Sequence, residues 1–278
     1  MEFVRLPLGN WMNAVVDWLV DNLAPVFRAV RHVISTFLNG TEDFLQWLPW
    51  PVVILAVALL MGRVGGWRGA LLSAAGLYLV GAMHLWDRAM TTLALMVTSV
   101  TLAVAIGVPV GILCARSDRV QAVVRPILDM MQTMPAFVYL VPALMFFGIG
   151  KVPAVFATLV FATPPAVRLT NLGIRQVAKE VVEATQSFGA TPWQMLVKVQ
   201  LPLAMPSIMA GINQTIMLSL SMSVLSAMIA AGGLGQEVLR GLSQVNLGRS
   251  FEGGLAIVVI AMILDRMSQT WGQRRRAA

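Results

Sequence analysis

The sequence predicts an all-α integral membrane protein of about seven transmembrane helices. Three observations carry that prediction. Of the 278 residues, 58% are hydrophobic and only 12% charged, with mean hydropathy +0.77, a balance that soluble domains of this length do not reach. The apolar residues gather into stretches near the roughly 20 residues that cross a bilayer core at 1.5 Å per residue. Lysine and arginine concentrate between those stretches, with a bias that sets one orientation.

The first 48 residues differ in kind. Val15, Val16, Leu19, Leu23, Val26, Phe27, Val30, Val33 and Ile34 form an apolar stripe, while Asp17, Asp21, Arg28 and Arg31 interrupt any spanning reading. This pattern predicts an outer amphipathic segment over 1–48, lying in the membrane interface and broken or kinked at Pro25. It has no compact apolar core ahead of a small-residue cleavage site, so no removable signal peptide is expected. Two peripheral spans follow, 49–62 and 67–86, within a 49–88 unit. Five more, 89–115, 120–147, 152–172, 205–230 and 253–270, make up a core over 89–272. A basic tail, 273–278, closes the chain.

With the carboxyl terminus inside, seven spans put the amino terminus outside. The inner ends then carry thirteen of the 20 Lys and Arg, among them Arg63, Arg116, Arg125, Arg168, Arg175, Lys179, Lys198 and Arg274 to Arg276. The outer side carries the other seven, including Arg88, Lys151, Arg240 and Arg249, against eight acids. The net charge of +7 therefore reads as basic inner loops, not as a nucleic-acid surface. Several core spans hold helix disrupters: Gly107, Pro109 and Gly111, then Pro135 and Pro142, then Pro164 and Pro165. In lipid a freed carbonyl needs a neighbouring helix or a water-lined path, and these residues suit either. Ser219, Ser221, Ser223, Ser226 and Ala227 likewise suit close helix contacts or a polar passage.

The polar stretch between the spans 152–172 and 205–230 is the most informative. Val177, Val181, Ala184 and Phe188 recur at helical spacing, with Lys179, Glu180, Glu183, Gln186 and Ser187 on the other face. Gly189 supplies a left-handed stop. Thr191, Pro192 and Gln194 restart the chain as N-cap, first helical residue and capping-box partner. The result is a rigid helix-turn-helix over 176–202, on the inner side by the charge bias, which presents a surface to a soluble partner.

Within it, Glu183-Ala184-Thr185, then Gly189, then Val199, Leu201 and Pro202 resemble the EAA loop of ABC importer permeases: EAA, three residues, Gly, nine residues, Ile, one residue, Leu-Pro. The spacing matches throughout; Thr185 replaces an alanine and Val199 an isoleucine, both small changes on the same helix face. The segments Gln132 to Pro142, Gly211 to Thr215 and Ala231 to Gly235 are similar to permeases of the glycine betaine/proline/choline uptake systems, and the likeness covers roughly 89–269. The resemblance implies a type I ABC importer permease core with cytoplasmic coupling helices in the bacterial inner membrane. It implies a second permease copy, two cytoplasmic ATP-binding subunits that hold the ATP and Mg, and an external substrate-binding protein delivering a compatible solute.

On that reading Glu183, Ala184, Thr185, Gly189, Leu201 and Pro202 couple to the ATPase, with Ala and Gly allowing backbone approach and Glu anchoring. Thr133, Phe137, Tyr139, Ser219 and Ser223 are candidates for the passage. Gly232, Gly233 and Gly235 are expected to form a tight outer turn where the binding protein docks. An ordinary packing role competes at each of the passage residues; for Phe137 and Tyr139 it is the favoured one over a transient cation–π surface.

Other chemistries find little support. Gly150-Lys151 lacks the upstream glycine of a P-loop, so ATP hydrolysis must reside elsewhere. His32 and His84 are far apart in sequence, with one cysteine, Cys114, and no metal spacing. A buried charge at a span centre costs roughly 2.5 to 3.5 kcal/mol and is usually functional, yet the spans hold almost none. Asp129 stands four residues from Arg125, which predicts an ion pair along one helix. The lack of a midplane carboxylate chain argues against an ion-driven carrier, the first alternative; a stress-gated channel is the second.

Overall fold

The computed structural model describes residues 8–274, which are helical with short connections. Expectations resting on Glu2, Arg5, Arg275 and Arg276, and so on most of the 273–278 tail, lie outside the described residues. Helix α1 (Leu8–Trp47) runs unbroken through Pro25, contrary to the predicted break there. It buries Val16, Ile34 and Leu38 and packs against the core. Helix α2 (Trp50–Ala82) contains Gly66 at φ 73°, where the chain folds sharply back. A Cβ on Gly69 would lie 3.6 Å from the Met61 carbonyl, whereas residues eight apart in a straight helix are about 12 Å apart.

The core follows as α3 (Trp86–Arg116), α4 (Asp118–Thr133), a 3₁₀ turn Ala136–Tyr139 and α5 (Leu140–Phe147), then α6 (Lys151–Arg175). Next come the short α7 (Lys179–Ser187) and α8 (Pro192–Gln194), a π-helical stretch Met195–Gln200, α9 (Leu201–Leu225), a second 3₁₀ turn Ser226–Ile229, α10 (Gly233–Ser243) and α11 (Leu247–Arg274). Among the described residues, four segments are long and apolar enough to cross a membrane: Trp86–Arg116, Lys151–Arg175, Pro192–Ile229 and Leu247–Ser268. Two bent pairs, Gly9–Trp47 with Trp50–Arg63 and Asp118–Thr133 with Ala136–Phe147, bring the total to six. The remaining predicted span, 67–86, is the second arm of α2, which ends at Ala82 and is too short to count alone. The predicted span 120–147 is not one helix: the chain turns by 110° at Met134-Pro135. Proline forces the residue before it out of the helical region, and Met134 is accordingly extended at φ −72°, ψ 135°.

Helices α3, α6 and α9 form the centre, α6 lying between the other two. Apolar burial does not drive helices together in lipid; close contact between small residues does. A Cβ on Gly111 would meet the Val167 carbonyl and the Thr170 Cβ at 2.7 Å, and one on Gly107 would meet Ala166 at 2.8 Å. These glycines let α3 lie backbone-to-backbone on α6, beside the buried Pro164 and Pro165. Packing, rather than a passage, is their role here. Further buried residues, Leu95, Ala154, Val155 and Met222 among them, continue the seam towards the α1 side.

At the end of the bundle opposite α7, ion pairs tie the helices together. Lys151 on α6 donates to Glu42 on α1 at 2.6 Å, and Thr91 on α3 donates to the same carboxylate at 2.9 Å. Glu237 on α10 is buried and pairs with Arg88 on α3 at 2.6 Å, Arg249 on α11 at 2.7 Å and Arg240 at 3.2 Å. Burial alone would raise the Glu237 carboxyl, but the Arg249 hydrogen bond and the charges of Arg88, Arg249 and Arg240 outweigh it and hold the carboxyl below its ordinary value.

Two outcomes follow from this packing. Gly111→Ala should lower thermal stability in detergent by about 1–3 kcal/mol through overpacking against backbone, while Gly254→Ala, in open space, should be neutral or stabilising by up to about 1 kcal/mol. Equal melting of the two variants would contradict the tight seam. A carboxyl depressed in the folded state adds stability that is present above its unfolded value near 4.3 and lost as pH falls through its folded value. Melting temperature should therefore drop more steeply below about pH 4 in the native chain than in Glu237→Gln, which lacks that titration.

Candidate coupling elbow and passage

The elbow has the geometry its residues dictate. Helix α7 begins after Ala178 and ends at Phe188, and Gly189 sits at φ +78°, the left-handed stop that the sequence predicts. The Thr191 hydroxyl accepts from the Gln194 amide at 3.3 Å, and the Gln194 side chain accepts from the Thr191 amide at 2.9 Å. That reciprocal cap, with Pro192 at the first helical position, starts a helix that continues without a break into a membrane-length segment, Pro192–Ile229. Leu201 and Pro202 lie where the elbow becomes the span. Pro202 has no amide to offer the Lys198 carbonyl, and the preceding turn widens to π-helix, with the Leu201 amide donating to the Leu196 carbonyl.

The elbow's apolar stripe is covered at its start, where Val177 lines clefts against the bundle, and open at its end. Val181 and Ala184 are exposed, Phe188 is 92% exposed and Trp193 66% exposed, whereas Val182 and Thr185 are partly covered. Glu183 is exposed, but it lines a cleft of about 320 Å³ beneath α7 with Arg175, Lys179, Gln186 and Gln200. Ala184 and Gly189 thus share the outward side with Phe188, while Glu183 turns towards the inner ends of α3 and α6. Trp193 was not singled out by periodicity, because only one turn of α8 surrounds it. Its signal is a large aromatic placed directly after a capping Thr-Pro pair.

Charges brace the helices on this side. Arg175 donates to the Cys114 carbonyl in the last turn of α3 at 2.8 Å and pairs with Asp118 at 2.7 Å. Asp129 pairs with Arg168 on α6 rather than with Arg125 along its own helix. The bend after Thr133 brings α4 against α6, and the tertiary partner wins.

The passage candidates do not form one surface. Thr133 is exposed and donates to the Met130 carbonyl at 3.0 Å. Phe137 is exposed, but Tyr139 is buried and packs on Phe161, 5.9 Å between ring centres. The Tyr139 hydroxyl donates to the Met131 carbonyl. In an uninterrupted helix that carbonyl would take the amide of residue 135, which is proline and has none, so Tyr139 braces the bend. Ser223 is buried and donates to the Leu220 carbonyl at 2.7 Å. Ser219 is fully buried, and its hydroxyl finds no partner among the described residues, as do Thr98 on α3 and Thr170 on α6.

The glycine turn also differs from expectation. Gly232 and Gly233 have positive φ, but Gly233 and Gly235 are buried. A Cβ on Gly233 would meet the Thr92 hydroxyl at 2.5 Å, and one on Gly235 the Ser223 carbonyl at 2.8 Å; the Leu234 amide donates to Thr92 at 2.8 Å. This turn anchors α10 to α3 and α9, and its buried glycines offer no surface for docking. Among the described residues, no group of three or more His, Cys, Asp or Glu is placed to hold a metal ion.

Comparison with known proteins gives concordant likenesses. The family described as "Binding-protein-dependent transport system inner membrane component" matches residues 107–276. The glycine betaine/proline betaine transport system permease protein ProW of Escherichia coli is 50% identical over 272 residues, covering 98% of this chain and 77% of that protein. The glycine betaine/carnitine transport permease protein GbuB of Listeria monocytogenes is 46% identical over 280 residues, 98% of each chain. Among solved structures, an inward-facing MetNI methionine ABC transporter superposes with a TM-score of 0.60 at 27% identity, over 71% of this chain and 97% of that one.

Proposed function

This chain belongs to the family of binding-protein-dependent transport system inner membrane components, and from that premise we propose how it works as the permease of an ABC importer for glycine betaine and related quaternary amines. The single observation that carries the mechanism is the continuity of the capped elbow with the membrane-length segment Pro192–Ile229. A push on the elbow moves that helix directly, with no flexible joint between them. Two ATP-binding subunits take up the Phe188 and Trp193 surface, which this chain leaves uncovered. They bind the ATP and Mg, and their closure on nucleotide tilts α9 against α6 in each of two permease copies.

Orientation follows the positive-inside bias: the elbow in the cytoplasm, and Lys151, Arg88 and Glu237 towards the binding protein. The substrate assignment rests on what the relatives are named for transporting. A quaternary ammonium is held best by an aromatic cage; the passage candidates here provide none, which suits selection by the external protein and release into a weakly binding path. Coupling through Glu183, Ala184, Thr185 and Gly189 is supported by the stop and cap geometry that fixes the angle of the elbow.

The test is Gly189→Val in the assembled transporter. A β-branched residue is strained at φ +78°, so the elbow must re-angle. Uptake and ligand-stimulated ATP hydrolysis should fall at least tenfold while the complex still co-purifies. Both activities unchanged would remove the coupling role.

A further inference from the structure

We propose that Asn213 is a positioning residue for transport: with Asp265 and Ser268 it latches the driven helix α9 to α11, and the latch must open before the elbow can move α9. This rests on the importer reading above. The seam of α9 with α6 is one of close approach. A Cβ on Gly211 would lie 3.0 Å from the Pro165 carbonyl, and one on Gly173 would lie 2.7 Å from the Ser207 Cβ. Contacts of that kind hold two helices together but set no directional bond against a small shift. The polar side chains of α9 add little to it: Thr215, Ser221 and Ser223 donate to carbonyls of their own helix, and Ser219 has no partner among the described residues. Asn213 differs, because it reaches another helix with both ends of its side chain.

The Asn213 amide nitrogen donates to an Asp265 carboxylate oxygen at 3.2 Å, and its side-chain oxygen accepts from the Ser268 hydroxyl. Asp265 and Ser268 stand three residues apart on α11, so one face of that helix offers Asn213 an acceptor and a donor together. A carboxylate within a membrane-length segment, here Leu247–Ser268, is expensive to place and marks function by default. Helix α11 gives the latch a fixed post. In its first turn Arg249 pairs with the buried Glu237 at 2.7 Å, and farther along a Cβ on Gly76 of α2 would meet Val259 at 2.7 Å.

The latch is able to open reversibly. Parting a buried hydrogen bond normally leaves a desolvated group without a partner. Here the Ser268 hydroxyl also lies 2.9 Å from the Asp265 backbone carbonyl, so its proton keeps an acceptor when Asn213 leaves. All three residues are half-buried, and Asp265 and Ser268 stand in the last turn of their membrane-length segment, where water can replace a departing partner. The ties at the far end are of another kind: Glu42 and Glu237 are buried carboxylates, each held by a cation and a second donor from other positions. Those hold and this one yields. Hydrogen bonds weaken steeply outside their usual range, so a shift of α9 against α11 by about 1 Å opens both. A closed latch opposes the tilt of α9 and so restrains nucleotide-driven closure when no solute is being delivered.

The experiment reads ATP hydrolysis and glycine betaine uptake by the complete permease–ATPase complex in proteoliposomes, with and without its binding protein. Asn213→Leu removes both hydrogen bonds at nearly constant volume. Hydrolysis without binding protein should rise threefold or more, and solute taken up per ATP should fall by a similar factor. The exchange Asn213→Asp with Asp265→Asn rebuilds the latch with its polar ends reversed and should bring both readouts back to within twofold of native. A residue that merely packs would not be rescued in this way. In a second arm, Asn213→Cys and Asp265→Cys in a Cys114→Ser background are joined by a short bis-methanethiosulfonate; uptake should stop, and recover on reduction. Hydrolysis by Asn213→Leu within twofold of native, or uptake that persists in the joined form, would overturn the proposal. So would a failure of Asn213→Leu to assemble that the exchange does not repair, which would assign Asn213 to folding. If the native complex shows no stimulation by ligand-loaded binding protein, the importer reading fails instead.

Discussion

A backbone carbonyl in the hydrocarbon region must find its donor within the protein, and this requirement organises the chain more than any other. Proline breaks the amide ladder at Pro135, and Tyr139 supplies the missing donor to Met131. The last turn of α3 leaves carbonyls unpaired, and Arg175 takes that of Cys114. Where α6 carries two consecutive prolines, glycines on α3 and α9 bring backbones close enough to exclude lipid from the gap. Residues that look like disruptions in the sequence are positions where one helix depends on another. A helix that depends on its neighbours moves with them.

That interdependence is what would give the proposed coupling elbow its leverage. Helix α9 packs along α6, α6 along α3, and α3 is clamped by Arg88 to α10 and by Thr91 to α1. Force entering at Thr191 meets a capped helix start and a stiff rod, and the far-end ion pairs are the places where a displaced rod would have to register. Gly189 matters because an ordinary side chain is strained at its φ, so the angle between α7 and the rod depends on it.

Much of this was legible in the sequence, and the reasons are local. The Gly189 stop and the Thr191–Gln194 cap depend on residues within one or two turns, and both formed as their types require. The helical class and most core spans follow from composition and length. What escaped was tertiary. Pro25 lies inside an unbroken helix because its neighbours on α1 pack against the core. Asp129 chose Arg168 over a partner on its own helix. Tyr139 and the Gly232–Gly235 turn were read by residue type, whereas their roles come from a missing proline amide and from the proximity of Thr92 and Ser223. Trp193 carried a signal too short for periodicity: a single aromatic in a capped turn.

In the proposed orientation Phe188 on the elbow and Val245 at the far end of the bundle lie on opposite sides of the membrane. Cysteine accessibility tests this most directly: Cys114, the sole native cysteine and a buried one, is replaced by serine, and single cysteines are placed at Phe188 and at Val245. In sealed right-side-out vesicles a membrane-impermeant maleimide should label position 245 at once and position 188 only after permeabilisation. Immediate labelling of position 188, or labelling of both from one side, would contradict the account.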